Sequence, residues 1–296
     1  MESPPHGPFA YAPRLTISLA LAIFIMVLEI VGGLLSNSLA LLGDAGHVFA
    51  DVLAITLSLA AMRIAVRPHT PSLTFGYHRA EILAALLNAI ALIVITGFIF
   101  YEAYLRLSQP PPVKTPILLP IAVIGLVANS GMIVLLRKGS RRSLNLRGVY
   151  LHVLGDSISS VGVVIGAAII AATSYYVVDP IVGTLIGVLI LRSALILSRD
   201  SINILLEGVP RHLKIKEIAE AIREVSGVKE VHDLHVWAIT SGLYALSGHI
   251  VVEDQSIKQA SEIAKLVESR LKERFNIAHS TIQLEPQEVT EIRKGV

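Results

Sequence analysis

The chain has 296 residues, of which 53% are hydrophobic and 16% are charged, and its formal net charge is +2. Soluble domains carry about 25% charged residues, so this composition indicates an integral membrane protein. The small net charge gives no support for a nucleic-acid partner, and the absence of cysteine excludes disulfides, thiolate metal sites and redox motifs.

Long apolar segments follow one another through the first two thirds of the chain. Each is close to the roughly 20 residues that an α-helix needs to cross the hydrocarbon core of a bilayer. Gly-Gly and Ser-Asn-Ser sequences separate the first two segments, and a Gln-Pro-Pro-Pro sequence ends the third. We predict six transmembrane helices, at residues 15–35, 39–65, 80–107, 116–136, 148–172 and 178–198.

Basic residues are unevenly distributed between the loops. The loop after the second helix contains three arginines, and the loop at 137–147 contains five basic residues. Lysine and arginine concentrate in cytoplasmic loops, so both termini are predicted to be cytoplasmic. The loop at 137–147 is expected to meet anionic lipid headgroups.

The composition changes near residue 207, where charge rises and amphipathic patterns replace the long apolar runs. These patterns predict a small α+β domain of order αββαβ. Its helices are predicted at 214–225 and 256–275, and its strands at 228–240, 244–252 and 280–284. The domains are therefore a cytoplasmic tail at 1–14, a transmembrane domain at 15–206 and a cytoplasmic domain at 207–296.

Two matching tetrads occur inside the second and fifth apolar helices. His47 and Asp51 form one pair, and His152 and Asp156 form the other. Residues i and i+4 lie on one face of a helix, so each pair offers an imidazole and a carboxylate to the same neighbour. Two histidines and two aspartates form a ligand set suited to Zn²⁺. Ionisable groups at membrane depth usually mark a functional site.

The tetrads also admit a purely structural interpretation, in which each His–Asp pair is a local hydrogen bond inside the helix bundle. Asp44, one turn before His47, is a candidate gate or proton relay, or alternatively a cap for its helix. Glu29, Asn88 and Glu102 are further polar residues in apolar helices.

Several ligand-type side chains occur in the cytoplasmic domain. Strand alternation predicts that His232 and His235 point to opposite faces of a strand and do not share one ion. His279 and Glu285 are six residues apart, about 20 Å in an extended strand. They cannot share an ion either, unless the strand begins after His279.

Motifs along nearly the whole chain, about 15–285, resemble those of the cation diffusion facilitator family. They are DAGHVFAD at 44–51, FGYHRAE at 75–81, the pair His152 and Asp156, Asp179-Pro180, and HDLHVW at 232–237. The resemblance implies a homodimeric, six-helix zinc/proton antiporter that exports divalent metal from the cytoplasm. It also implies a cytoplasmic, metallochaperone-like domain that dimerises and senses metal.

The resemblance also assigns ligands. It implies a transport site at His47, Asp51, His152 and Asp156, and His47 in the first position is similar to zinc-selective members. In the cytoplasmic domain it selects His232, His249 and Glu285, with His279 as a candidate ligand of a second ion. The loop after the second helix has His69 and His78 but no acidic residue before Glu81, so only a weak metal site is expected there.

We therefore predict a zinc exporter of the cell (inner) membrane, with Zn²⁺ as substrate and regulatory ligand and no organic cofactor. Its partners are a second copy, membrane lipid, divalent metal ions and protons. The sequence has no Walker motif and no His-Glu-x-x-His motif, which disfavours ATP-driven transport and a metalloenzyme. The alternatives are an exporter that also accepts cadmium, cobalt, iron or manganese, and a membrane metal sensor without transport.

Overall fold

The computed structural model describes residues 12–65, 67, 70–140 and 144–287. The chain forms two compact units. The first contains residues up to 57 and 87–196, and the second contains residues 58–86 and those from 197 onward. Much of the predicted tail at 1–14, and His69, lie outside the described residues.

Within the described residues, six helices are long and apolar enough to cross a membrane, in agreement with the predicted number. The fourth extends beyond its predicted start and end, and the sixth continues past residue 198. Their bounds are α1 Ala12–Ser36, α2 Leu39–Ala65, α3 Ala80–Ser108, α4 Thr115–Ser140, α5 Leu144–Thr173 and α6 Val178–Leu205.

The core of the first unit is made of aliphatic side chains from several helices. Leu41 of α2, Leu118 of α4 and Ala194 of α6 are almost completely buried. Large apolar side chains such as Val94 and Val134 are exposed on the same bundle. A helix that is apolar on its buried and exposed faces alike is typical of a membrane span.

The start of α2 is fixed by a carboxylate from another helix. Asp179, in the first turn of α6, accepts hydrogen bonds from the hydroxyl of Ser38 at 2.5 Å and from the amides of Leu39 at 2.6 Å and Ala40 at 3.3 Å. Ser38 itself accepts from the amide of Leu41 at 3.2 Å. These bonds satisfy amides that a helix start leaves without intrahelical partners, and the negative charge lies at the positive end of the helix dipole.

The second unit contains the predicted αββαβ order. Its elements are α7 Ile215–Arg223, β1 Val228–Thr240, β2 Leu243–Val252, α8 Ile257–Phe275 and β3 Ile277–Pro286. The sheet order is β1-β2-β3, with β1 antiparallel and β3 parallel to β2. Aliphatic side chains of the helices, among them Ile222 and Leu271, pack with Leu246 and Ile250 of β2 to form the core.

This unit also includes the end of α2 and the start of α3. The Arg79 guanidinium lies 2.8 Å from the Glu207 carboxylate, just after α6. The hydroxyl of Thr240, at the end of β1, donates to Glu81 in the first turn of α3 at 2.8 Å.

A β-bulge makes the predicted alternation along β1 wrong. Asp233 has a φ of 48°, and the register shifts between His232 and His235. His232 is opposite His249 and His235 is opposite Ser247, two residues apart on β2. Opposed residues share a face, so the extra bulge residue places both histidines on the same side of the sheet.

Removing the carboxylate that anchors α2 should destabilise the protein. Asp179→Ala leaves a buried hydroxyl and two helix-start amides without their acceptor, which should cost about 3 kcal/mol. We expect a lower midpoint in thermal unfolding of the purified protein in detergent. Asp254→Ala, at an exposed carboxylate, is the control. Equal midpoints for the two variants would contradict the anchoring role.

Candidate metal centres

Helices α2 and α5 bring the two tetrads together. The Nε2 atom of His47 lies 3.2 Å from Oδ1 of Asp156, and Nε2 of His152 lies 3.0 Å from Oδ2 of Asp51. Within each helix, the His–Asp distance is 3.9 Å in both tetrads. The shorter contacts are therefore those between helices, and the four groups form one cluster.

The spacing of the donor atoms is close to that of a metal site. Ligand atoms of His47, Asp51 and Asp156 all lie within 4.8 Å of one another. Tetrahedral zinc with ligands near 2.0–2.1 Å separates its donor atoms by about 3.4 Å. His152 stands beside this group, with its ring centroid 5.8 Å from that of His47. Small side-chain movements would bring all four donors onto one ion.

Exposure within the cluster is uneven. The His152 side chain is 47% exposed, whereas that of Asp156 is 12% exposed. His152 is therefore the most accessible edge of the cluster, and Asp156 forms its buried side.

Asp44 lies next to the cluster but does not cap its helix, because α2 begins at Leu39 and its first amides are satisfied by Ser38 and Asp179. Asp44 is 2% exposed and accepts a hydrogen bond from Ser160 at 3.0 Å. Sequence reasoning missed Ser160, although its position four residues after Asp156 places it on the same face of α5. A polar connection thus leads from the cluster to Asp44.

A second cluster lies on the sheet of the cytoplasmic domain. The Nδ1 atom of His249 lies 2.6 Å from Oε1 of Glu285, and Nε2 of His232 lies 3.3 Å from Oε2 of the same carboxylate. The two rings are stacked with centroids 5.2 Å apart. Glu285 is 2% exposed, and the three side chains satisfy the same 4.8 Å spacing. The β1–β2 pairing explains the stack, since His232 and His249 are directly opposed.

The other predicted ligands lie apart from this cluster. His279 is inside β3, opposite Ala245, and its ring meets that of Phe75 edge-on at 6.4 Å. Because β3 begins at Ile277, His279 and Glu285 are about 20 Å apart and cannot share an ion. Among the described residues, His78 belongs to neither ligand group.

Sequence reasoning missed Asp233 as a neighbour of the cytoplasmic cluster. Its Oδ1 lies 3.0 Å from Nε2 of His235, and its Oδ2 lies 3.7 Å from Nε2 of His249. The bulge produces this position, and aspartate is one of the few residue types that tolerate positive φ. A carboxylate behind a ligand histidine fixes the orientation of the ring.

Two family models match the chain. The cation efflux transmembrane domain matches residues 15–206, and the cytoplasmic domain of cation efflux proteins matches residues 210–287. The first match alone covers more than half of the chain.

Relatives match over almost the full length. The cadmium, cobalt and zinc/H(+)-K(+) antiporter of Bacillus subtilis is 41% identical over 285 residues, which cover 95% of this chain and 91% of the relative. The metal cation efflux system protein CzcD of Cupriavidus metallidurans is 43% identical, covering 92% and 85% of the two chains. The zinc transporter ZitB of Escherichia coli is 42% identical, covering 93% and 88%.

These matches agree with the fold described above. The match to the transmembrane domain covers the six apolar helices, and the match to the cytoplasmic domain covers the three-stranded sheet and its two helices. The chain is an integral membrane protein, and the family whose models it matches consists of cation efflux proteins. It belongs to the cation diffusion facilitator family of cation efflux proteins.

Proposed function

We propose that this protein is a zinc/proton antiporter that exports Zn²⁺ from the cytoplasm through His47, Asp51, His152 and Asp156. The observation that carries the proposal is the crossed pairing of the tetrads, in which each histidine lies closer to the aspartate of the other helix than to its own. One shared cluster accounts for this geometry, whereas two local hydrogen bonds do not.

The same contacts provide a mechanism of exchange. Each Nε2 of the cluster lies 3.0–3.2 Å from a carboxylate oxygen, so a proton on the imidazole is shared with the aspartate opposite. Zinc needs those nitrogen and oxygen lone pairs, and its binding releases the protons. Protonation of the emptied cluster from the other side of the membrane displaces the metal. Movement of α2 against α5 alternates the access.

Zinc is the preferred substrate because its borderline character suits mixed imidazole and carboxylate ligands. The broader alternative is an exporter that also carries cadmium, cobalt, iron or manganese. The names of two relatives favour this broader alternative. The Bacillus subtilis relative is named for cadmium and cobalt as well as zinc, and the Cupriavidus metallidurans relative is named for metal cations in general. In this proposal, the choice between zinc and a broader set of metals depends on the residue at position 47.

Asp44 acts in this proposal as a gate or proton relay. Its burial, and its hydrogen bond to a serine one turn from Asp156, give protons a polar route beside the metal cluster.

The cytoplasmic cluster of His232, His249 and Glu285 binds zinc as a regulatory ligand in this proposal. A buried glutamate between two imidazoles supplies three donors and leaves a fourth position for water or another ligand. A second ion at His279 would need ligands from outside this cluster. The matched cytoplasmic domain supports a homodimer in the cell membrane. The excess of lysine and arginine in alternate loops favours a cytoplasmic position for both termini. The same basic residues favour contact with anionic lipid headgroups.

Removing either aspartate of the transport site should stop zinc movement. We expect Asp51→Ala and Asp156→Ala to abolish zinc-driven proton flux in proteoliposomes, because each variant loses a ligand and leaves the opposite imidazole without its acceptor. Asp200→Ala, at a carboxylate near the end of α6, should transport normally. Normal zinc flux in either site variant would refute the assignment.

Exchanging the first histidine should change metal preference. His47→Asp replaces a nitrogen donor with a carboxylate that accepts larger ions through two oxygens. We expect the ratio of zinc to cadmium flux to fall several-fold in competition assays in proteoliposomes. His78→Asp, outside the cluster, is the matched control. An unchanged ratio in His47→Asp would remove position 47 as the determinant of selectivity.

The cytoplasmic cluster can be tested separately from transport. Full-length protein carrying Asp51→Ala, which lacks one ligand of the transport site, should still bind zinc in a calorimetric titration. Adding Glu285→Gln should weaken this binding by about 100-fold or more, since the buried charged donor is lost. Glu253→Gln, at an exposed glutamate paired with Lys229, should leave binding unchanged. Identical titrations for the two glutamate variants would show that zinc does not bind at Glu285.

A further inference from the structure

Glu29 is a carboxylic acid in the middle of α1 that the proposed transport cycle does not use. It is 1% exposed, and its Oε2 atom has no hydrogen-bond partner among the described residues. It lies about 10 Å along the helix from Ser36, where α1 ends. Burying a polar group without a partner costs free energy, so its presence in an apolar helix needs a functional explanation.

A glycine on α4 makes room for this carboxyl group. A Cβ atom added at Gly125 would lie 2.7 Å from Oε1 of Glu29 and 3.9 Å from its Cδ. The carboxyl group therefore occupies space that a side chain at position 125 would need. This close approach fixes Glu29 against α4 without supplying a hydrogen-bond donor to its second oxygen.

Two carboxylates on neighbouring helices would repel a negative charge on Glu29. They are the carboxylates of Asp44 on α2 and Asp156 on α5, while α4 presents Gly125 to it. An anionic Glu29 would be both buried and repelled by two carboxylates, whereas a protonated Glu29 is neither charged nor repelled.

Polar side chains connect the surroundings of Glu29 with the transport site. Asn129, one turn after Gly125 on α4, donates from Nδ2 to Oγ of Ser160 at 3.1 Å. Ser160 donates to Asp44 at 3.0 Å and lies one turn from the ligand Asp156. Glu29 and the metal cluster share a low-dielectric region where screening by water is weak, so a charge added at Asp156 would alter the field at Glu29.

We propose that Glu29 carries an exchangeable proton that is released when zinc enters the transport site and taken up again when zinc leaves. Two positive charges beside Asp156 reverse the repulsion that keeps Glu29 protonated. The proton leaves Oε1 or Oε2 for water, and no other bond changes. This inference rests on the zinc/proton exchange proposed above and adds a proton carrier that is not a metal ligand.

The experiment measures protons and zinc together in proteoliposomes that contain the full chain, with one indicator for each ion. We expect Glu29→Gln, which resembles the protonated acid, to move zinc with one proton fewer per ion than the unchanged protein. Its zinc affinity should fall and depend less on pH, since the carboxylate that would stabilise bound zinc is lost. Glu29→Asp keeps a carboxyl group and should restore the original ratio. Glu102→Gln, in α3, is the control for removing a carboxylate from the membrane domain.

Infrared difference spectra give a second readout. Zinc addition to the unchanged protein should remove a carboxylic C=O band that is missing in Glu29→Gln. If Glu29→Gln does not fold, the band is followed in Glu29→Asp, where it should shift in frequency. An unchanged proton-to-zinc ratio in Glu29→Gln, or a zinc-sensitive band unaffected by either substitution, would overturn the inference. Absence of zinc-coupled proton flux in the unchanged protein would instead refute the proposed exchange itself.

Discussion

The crossed pairing of imidazoles and carboxylates between α2 and α5 is the interaction on which the rest of the membrane domain depends. Ionisable groups at this depth must find partners, because hydrocarbon offers none. His47 meets Asp156 and His152 meets Asp51, so each imidazole finds a carboxylate on the other helix. The imidazole and carboxylate groups that join α2 to α5 are also the proposed zinc ligands. Zinc binding would therefore change the contacts between these two helices.

The other buried acids of this domain differ in how well they are satisfied. Asp179 accepts hydrogen bonds from a serine and two helix-start amides, and these bonds fix the position of the helix start. Asp44 accepts from Ser160, while its other oxygen has no partner among the described residues. Glu29 lies against a glycine instead of a donor. Hydrogen-bond donors therefore surround the acid that holds a helix start in place, whereas Asp44 and Glu29 lie where donors are fewer.

In the cytoplasmic domain, strand pairing supplies the partners of a buried carboxylate. Opposed positions on β1 and β2 stack His232 on His249, and the buried Glu285 of β3 contacts both rings. The bulge at Asp233 adds a carboxylate near His249 and changes which side of the sheet His235 occupies. A one-residue irregularity in a strand thus decides which charged groups surround the cluster.

The sequence by itself determined the six membrane helices and the αββαβ domain, because apolar run length and amphipathic period are local properties. It also placed each histidine on the same helix face as its aspartate, since an i to i+4 spacing is local as well. Only the tertiary structure decided that these pairs cross between helices, and that Asp179 anchors a helix start about 140 residues away in the chain. It alone showed that β1 bulges at Asp233. These features depend on which distant side chains become neighbours, and periodicity carries no information about that choice.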